Sequence, residues 1–274
     1  MTSHFTGYLL MLLMGGTLGL IGAGGSILMV PILVYLLQVP AVAATGYSLP
    51  IVGIAAAIGA LHYRSRGQMD LHAAFIFALP ALLAVLVTRV WLLPALPATI
   101  AVGGFLVGKD AVVLTVLAVL MLASARFMLD PAACENGPVA PRLQGTQRLV
   151  LLGAASAFIG VLTGFVGAGG GFLIVPALLC LFGLTMHTAI GTSLLVIAIN
   201  ALTGFAGDLG AGFVTDWPLL GGLLALTLAG MGLGTRLNRR CNARQLRRAF
   251  GWLTLAVAAA IIAREIIRIK LGNS

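Results

Sequence analysis

The chain alternates long apolar runs with short polar connections. Residues 5–61 contain no Asp, Glu, Lys or Arg, and the same holds for residues 149–207. Each run is long enough for more than one membrane-spanning helix, because a helix needs about 20 apolar residues to cross the hydrocarbon core. A membrane β-barrel would instead show segments of about ten residues in which apolar and polar positions alternate. The pattern therefore predicts an all-α integral membrane protein, a polytopic helical bundle.

The second half of the chain repeats the first. A shift of 145 residues aligns Gly15–Leu33 with Gly160–Leu178, and ten of these 19 positions are identical. The same shift places the AxGxSL sequence of Ala44–Leu49 on Ala189–Leu194 without a gap. These matches indicate an internal duplication. We expect a first transmembrane repeat over residues 1–129, a polar linker over residues 130–148 and a second repeat over residues 149–274.

Each repeat is expected to contain one long segment interrupted by glycines and three full spans. The long segment has about 34 residues, which exceeds one span and falls short of two, so we predict a longer and a shorter helix divided at the sequence GAGG. If the shorter helix returns to the side from which the longer one came, each repeat crosses three times and the repeats are inverted. Four crossings per repeat is the alternative. The expected segments are 5–38, 41–62, 72–92 and 110–128, then 149–182, 186–207, 217–236 and 247–266.

Composition and charge agree with a membrane location. Hydrophobic residues make up 60% of the chain and charged residues 8%, whereas soluble domains carry about 25% charged residues. The net charge of +9 comes from cations at the ends of apolar segments, which is typical of cytosolic loops and does not indicate a nucleic-acid partner. Inverted repeats are favoured because this rule puts Arg64, Arg66, Arg126, Arg142, Arg148 and the arginines of residues 236–248 in the cytosol, and the Asp208–Asp216 loop outside. Arg264, Arg268 and Lys270 fit this orientation poorly, and Arg89 and Lys109 favour neither arrangement.

The sequence GAGGSILMVP, from Gly22 to Pro31, returns as GAGGGFLIVP, from Gly167 to Pro176. Glycine within a helix costs about 1 kcal/mol relative to alanine and proline about 3 kcal/mol, so two matched clusters need an explanation. Irregular backbone at membrane depth persists only beside protein or a water-filled cavity, and the half-helix after it directs free N–H groups and a positive dipole end there. Two such ends near the midplane predict an anion site. Pro31 and Pro176 are interpreted as helix breaks, and the GxxxG pairs Gly15/Gly19 and Gly160/Gly164 as sites of close helix packing.

The candidate substrate-binding residues are the motif glycines and uncharged polar residues in the spans. Ser48 and Ser193 recur at matched positions, whereas Asn200 has Ala55 as its counterpart and marks an asymmetry between the repeats. Hydrogen bonding between helices, or back to a carbonyl, is the alternative role for such side chains. The predicted set is Gly22, Gly24, Gly25, Ser26 and Ser48 in the first repeat, and Gly167, Gly169, Gly170, Gly171, Thr192, Ser193 and Asn200 in the second.

Other chemistries find little support in the sequence. GAGGSI lacks the third glycine of a dinucleotide-binding loop, and Ser26 has no histidine securely within a span to act as its base. Three cysteines without CxxC spacing predict neither a disulfide framework nor a metal site. No acidic residue lies securely within a span, as a proton relay would require. An anion leaving a negative cytosol gains about 2.3 kcal/mol per 100 mV, so export needs no coupled ion.

GxxGAGGxxLxVPxL in both halves, followed by AxGxSL, resembles the TauE/SafE family of sulfite exporters over nearly the whole chain. The resemblance implies a multi-pass permease of the inner membrane for organosulfur compounds and sulfur oxyanions. We therefore expect a secondary transporter, an exporter of a small sulfur-containing anion such as sulfite or an organosulfonate, that works by alternating access. An anion channel and a non-transporting membrane scaffold or assembly subunit are the alternatives. We expect no enzymatic activity and no cofactor; the expected partners are the anion and the lipid bilayer, and a homodimer is left open.

Overall fold

The computed structural model describes residues 2–21, 26–95, 99–102, 105–130, 146–166, 170–212, 216–238 and 242–271. The regular elements in this part of the chain are helices and one short hairpin between α4 and α5. The elements of the first repeat are α1 (Thr2–Ile21), α2 (Ser26–Tyr35), α3 (Ala41–Arg64), α4 (Leu71–Val87), β1 (Thr99–Val102), β2 (Phe105–Gly108) and α5 (Lys109–Leu129). Those of the second are α6 (Thr146–Val166), α7 (Gly171–Phe182), α8 (Met186–Gly210), α9 (Trp217–Asn238) and α10 (Ala243–Leu271).

Seven helices in the described ranges are long and apolar enough to cross a membrane: α3, α4 with its extension to Ala95, α5, α6, α8, α9 and α10. The extension of α4 is a π-helical turn, Thr88–Leu92, followed by the short helical segment Leu93–Ala95. The polytopic helical membrane fold is thus confirmed. Helix α6 begins at Thr146; most of the expected linker, residues 131–145, lies outside the described residues.

The antiparallel hairpin of β1 and β2 was not predicted. Thr99 pairs with Gly108 and Val102 with Phe105. The two strands are separated in the sequence by Gly103-Gly104, and two glycines between short β-branched or aromatic runs are a known hairpin signal. The signal was not recognised because the connection between α4 and α5 is largely apolar.

The spans fall into two sets that run in opposite directions. Thr192 near the start of α8 contacts Asp70 before α4, and Asp208 near the end of α8 contacts Arg89 near the end of α4 and its extension. These contacts make α4 and α8 parallel. Successive contacts also make α6 parallel to α4, and α1 and α9 parallel to α3. One set therefore contains α1, α3 and α9, and the other contains α4, α6 and α8.

The GxxxG glycines lie where neighbouring helices approach closely. A β-carbon at Gly15 of α1 would overlap the backbone of Thr227 in α9, and one at Gly160 of α6 would overlap the backbone of Ala81 in α4. Small residues permit such approach in lipid, where no hydrophobic effect drives helices together. The packing role predicted for these glycines is confirmed. One turn further on, Gly19 fits against Met231 and Gly164 against Thr88.

The helices α3 and α8 are the most buried of the seven spans. Leu49 of α3 fits against Gly204 of α8, and Leu194 of α8 fits against Gly59 of α3. The order of these contacts makes α3 and α8 antiparallel. The two contacts are also equivalent under the 145-residue shift, so the same packing is made twice. The duplicated sequence thus produces a duplicated contact at the centre of the bundle.

Basic residues collect at one end of the bundle, as the charge pattern predicted. Arg247 at the start of α10 donates hydrogen bonds to the carbonyl oxygens of Phe127, Met128 and Asp130 at distances of 3.1, 3.1 and 2.9 Å. The start of α10 therefore lies beside the end of α5. We call this the basic end; the opposite end, with Asp208 and Asp216, is the acidic end. The basic end carries Arg64, Arg66, Arg126, Arg236, Arg244, Arg247 and Arg248.

Two sequence-based expectations about local structure are wrong. Pro31 and Pro176 lie inside α2 and α7 and do not break them. Each is the sixth residue of its helix, where a missing N–H removes only one bond near the helix start. Cys180 of α7 is disulfide-bonded. The sequence did not indicate this, because spacing along the chain does not show which thiols a fold brings together.

Candidate functional site

Two short helices begin near the middle of the bundle. Helix α7 has 12 residues, packs against α8 and joins it through residues 183–185, so its N-terminus lies about 18 Å from the basic end. Helix α2 has ten residues, packs against α3 and leads into it, which puts its N-terminus about 15 Å from the acidic end. A hydrocarbon core is about 30 Å thick. The two N-termini therefore approach from opposite ends, and α2 and α7 contact each other.

The start of α7 depends on Gly170. This residue has φ of 65°, in the left-handed region, and no side chain caps the helix. A β-carbon at Gly170 would also overlap Thr163 of α6. Ser124 of α5 fixes the first turn of α7 by donating a hydrogen bond from its hydroxyl to the carbonyl oxygen of Phe172. Gly171 is the buried first residue of α7 and Ser26 the buried first residue of α2; Gly22, Gly24, Gly25, Gly167 and Gly169 lie outside the described residues.

Asn200 is the predicted site residue with the most informative surroundings. It lies in α8 and is only 2% exposed, and neither its side-chain nitrogen nor its side-chain oxygen has a hydrogen-bond partner among the described residues. A buried polar group left without a partner costs about 1–3 kcal/mol. Asn200 follows the start of α8 by 14 residues, or about 21 Å, which is close to the depth of the α7 N-terminus. An amide at this depth can bind a polar ligand that enters the bundle.

Ser48 and Ser193 do not come together. The hydroxyl of Ser48 donates to the carbonyl oxygen of Thr45 at 2.7 Å, and that of Ser193 to the carbonyl oxygen of Ile190 at 2.8 Å. Ser48 precedes Leu49, which packs on Gly204, so the two serines lie at levels of α8 about ten residues, or 15 Å, apart. Both hydroxyls make local bonds at different depths, and a single small ligand cannot contact both.

Thr192 and its counterpart Tyr47 make equivalent contacts. The backbone N–H of Asp70 donates to the Thr192 hydroxyl at 3.0 Å, and the backbone N–H of Asp216 donates to the Tyr47 hydroxyl at 3.0 Å. Each aspartate in turn caps a helix, since its carboxylate accepts from the N–H three residues later, at the start of α4 or α9. The hydroxyl of Thr192 thus holds the start of α4 at the basic end.

The buried pair of Arg89 and Asp208 was missed by the sequence reasoning. The Asp208–Asp216 region was expected to be an external loop, but α8 continues to Gly210 and buries Asp208. Arg89 Nη1 donates to Asp208 Oδ2 at 3.0 Å and to Thr45 Oγ1 at 3.3 Å. Asp208 is buried because an arginine within an apolar span needs a buried acceptor. The presence of Arg89 in an otherwise uncharged span was the signal available in the sequence.

A cavity of about 210 Å³ adjoins this pair at the acidic end; Val42, Arg89, Leu93, Pro94, Asp208, Ala211 and Gly212 line it. The guanidinium is almost completely buried, with Arg89 2% exposed, and within the described part of the chain its Nε and Nη2 have no hydrogen-bond partner. In the described part of the chain, no three His, Cys, Asp or Glu side chains are grouped closely enough to hold a metal ion.

The family model for the sulfite exporter TauE/SafE matches residues 8–261. The chain belongs to the TauE/SafE family. It is 33% identical over 262 residues to a protein of Xylella fastidiosa strain 9a5c named "Probable membrane transporter protein", and the match covers 92% of each chain. It is also 28% identical over 267 residues to "Probable membrane transporter protein YdhB" of Bacillus subtilis strain 168, covering 93% of this chain and 98% of that protein. No solved structure matches.

Membership of the TauE/SafE family agrees with the helical architecture. The protein is a multi-pass membrane transporter, and the family and these relatives are transporters and not enzymes. The resemblance found in the glycine motifs is confirmed over nearly the whole chain.

Proposed function

We propose that this protein exports a small sulfur-containing anion, such as sulfite or an organosulfonate, across the inner membrane. The anion binds near the midplane, between the N-termini of α2 and α7 and beside Asn200. Alternating access exposes this site first to the cytosol and then to the outside. The proposal combines the family's transport role with the polar groups at the centre of the bundle.

The repeats are inverted in this account. The antiparallel packing of α3 and α8, which are equivalent in the two repeats, supports this arrangement. Further support comes from the directions of the first helices, since α1 is parallel to α3 and α6 is parallel to α8. The chain must return between two parallel helices, and α2 and α7 are the segments that can return it. Each repeat then makes three net crossings, with a glycine-interrupted segment that enters and returns on one side.

The chemistry of the central groups favours an anion. Each helix N-terminus contributes a positive dipole end, which favours a negative ligand by about 0.3–2 kcal/mol. The amide nitrogen of Asn200 can donate two further hydrogen bonds to a sulfur oxyanion. The observation that carries the proposal is the buried Asn200 amide without a partner, because a ligand would satisfy it.

Export is the proposed direction. The basic end faces the cytosol by the positive-inside rule, so the acidic end faces outward. A monoanion leaving the cytosol gains about 2.3 kcal/mol per 100 mV of membrane potential. Asp208 is already paired with Arg89 and is not needed as a proton carrier. The membrane potential alone can therefore drive the anion outward.

The test is sulfite efflux from proteoliposomes at several imposed voltages, with an Asn200→Leu variant that removes the amide at similar volume. Thr203→Val is the matched control, because Thr203 lies one turn along α8 and its hydroxyl bonds only the Ile199 carbonyl oxygen at 2.7 Å. We expect efflux that saturates with sulfite, rises with voltage and falls about tenfold or more in Asn200→Leu, which corresponds to losing about 1.4 kcal/mol of binding. Thr203→Val should stay within about twofold of the wild type, a change of under 0.5 kcal/mol.

Three outcomes would count against the proposal. Asn200→Leu efflux equal to wild type would remove the central site. Flux that does not saturate and greatly exceeds carrier rates would indicate a channel. Absence of flux for sulfite and for a panel of alkylsulfonates would exclude transport of this substrate class.

A further inference from the structure

We propose that Arg89 forms a second anion-binding site, at the acidic end, where the exported anion binds before release. This inference rests on the proposed function. The site consists of the Nε and Nη2 groups of Arg89 and the adjoining cavity lined by Asp208, Leu93 and Gly212. It lies apart from the central site, since Asn200 and Asp208 are eight residues, or about 12 Å, apart along α8.

The hydrogen bonds of Arg89 leave one edge of the guanidinium unpaired. Nη1 donates to both Asp208 Oδ2 and Thr45 Oγ1, whereas the buried Nε and Nη2 groups have no partner among the described residues; a ligand reaches them from the adjoining cavity after a small movement of its lining. Buried donors left unpaired are costly. The Nε and Nη2 groups form a planar fork whose spacing matches two oxygens of an oxyanion. A sulfite or sulfonate group can therefore bind this edge while Asp208 keeps Nη1.

The surroundings provide space for such a ligand. A volume of about 210 Å³ corresponds to about seven water molecules at 30 Å³ each, which accommodates one small oxyanion with some of its hydration. Arg89 itself lies in the π-helical turn Thr88–Leu92, and π turns inside helices occur frequently at functional sites. The turn places the guanidinium between α3 and α8 at the cavity.

The site exists at one end of the bundle only. Under the 145-residue shift, Arg89, Asp208 and Thr45 correspond to Gly234, Tyr63 and Ile190, which carry no charge. The duplicated packing has therefore no duplicate of this ion pair. The carboxylate of Asp208 neutralises the arginine, so the site attracts an anion less strongly than a lone cation would. Weak binding is suitable for a release site, since a transported ion must be able to leave.

The test measures how many radiolabelled sulfite ions the purified protein binds at equilibrium, with methanesulfonate as a second probe. The key variant is Arg89→Gln with Asp208→Asn, which removes both charges and leaves neither buried alone. Arg89→Lys keeps the charge but lacks the two-donor edge. Asn200→Leu tests the central site in parallel. Thermal unfolding of each variant verifies that it is folded.

We expect two saturable sites in the wild type, and one each in Asn200→Leu and in the double variant. Arg89→Lys should weaken one site by about tenfold or more, since lysine cannot make the bidentate charge-assisted contact. Two results would overturn this inference and leave the proposed function intact. One is a folded double variant that still binds at both sites. The other is a wild-type protein with a single site that is lost in Asn200→Leu. If the Arg89 variants lose a site and Asn200→Leu does not, the result overturns the central site instead. No saturable binding of either probe overturns both.

Discussion

The two repeats contribute equivalent residues to the contact between α3 and α8, but the polar groups around this contact differ between the repeats. Leu49 on Gly204 and Leu194 on Gly59 are equivalent contacts. By contrast, Asn200 corresponds to Ala55, and the buried ion pair of Arg89 and Asp208 has only uncharged counterparts. Duplication has preserved the packing, which needs matched shapes on both sides of the contact. The polar groups are found once, as expected for a pathway whose two ends face different compartments.

Substitutions at the GxxxG glycines test the packing that the two repeats share, and we expect them to have the largest effect on folding. Gly15→Leu and Gly160→Leu should both abolish the folded protein, because each would force a side chain into the backbone of a neighbouring helix. Such overlap exceeds the usual overpacking cost of about 1–3 kcal/mol. The readout is the monodisperse yield in fluorescence-detected size exclusion. Gly232→Ala is the control, since a β-carbon there meets no atom within 4 Å, and a folded Gly15→Leu protein would contradict the packing model.

The ion pair gives the next largest effect. Asp208→Asn leaves the Arg89 guanidinium buried without a counter-charge, so we expect a loss of about 3–5 kcal/mol of stability. Adding Arg89→Gln should recover most of it, because no buried charge then remains. Thermal unfolding of the single and double variants measures this coupling. If the double variant is as unstable as Asp208→Asn, the two residues do not stabilise each other as described.

The hydroxyl contacts of Tyr47 and Thr192 should give the smallest effects, and nearly equal ones. Tyr47→Phe and Thr192→Val each remove one hydrogen bond to the backbone that precedes a helix, which is worth about 0.5–1.5 kcal/mol. Both variants should therefore lower the melting temperature by similar small amounts. A large loss in only one of them would mean that these residues are not equivalent.

Much of the fold could be predicted from the sequence because its signals are strong. The uncharged runs and the repeated GAGG and AxGxSL motifs gave the spans and the duplication, and the GxxxG pairs gave two close helix contacts. The hydroxyl contacts could not be predicted, since Tyr47 reaches Asp216 across 169 residues of chain. The pairing of Arg89 with Asp208 spans 119 residues and depends equally on how helices pack. Among the candidate site residues, sequence periodicity cannot distinguish Ser193, whose hydroxyl bonds its own helix, from Asn200, whose amide has no hydrogen-bond partner in the described part of the chain.

The most direct test of the central site exchanges one residue between the repeats. The antiparallel contacts of α3 and α8, which pair Leu49 with Gly204 and Gly59 with Leu194, place Ala55 within one turn of the level of Asn200. The double variant Ala55→Asn, Asn200→Ala therefore moves the amide from one helix to the other at constant volume. Sulfite efflux from proteoliposomes is measured for Asn200→Ala and for the exchanged variant. We predict that Asn200→Ala lowers efflux by about tenfold or more, and that the exchanged variant recovers a substantial part. Wild-type efflux in Asn200→Ala would contradict an anion site at the centre of the bundle.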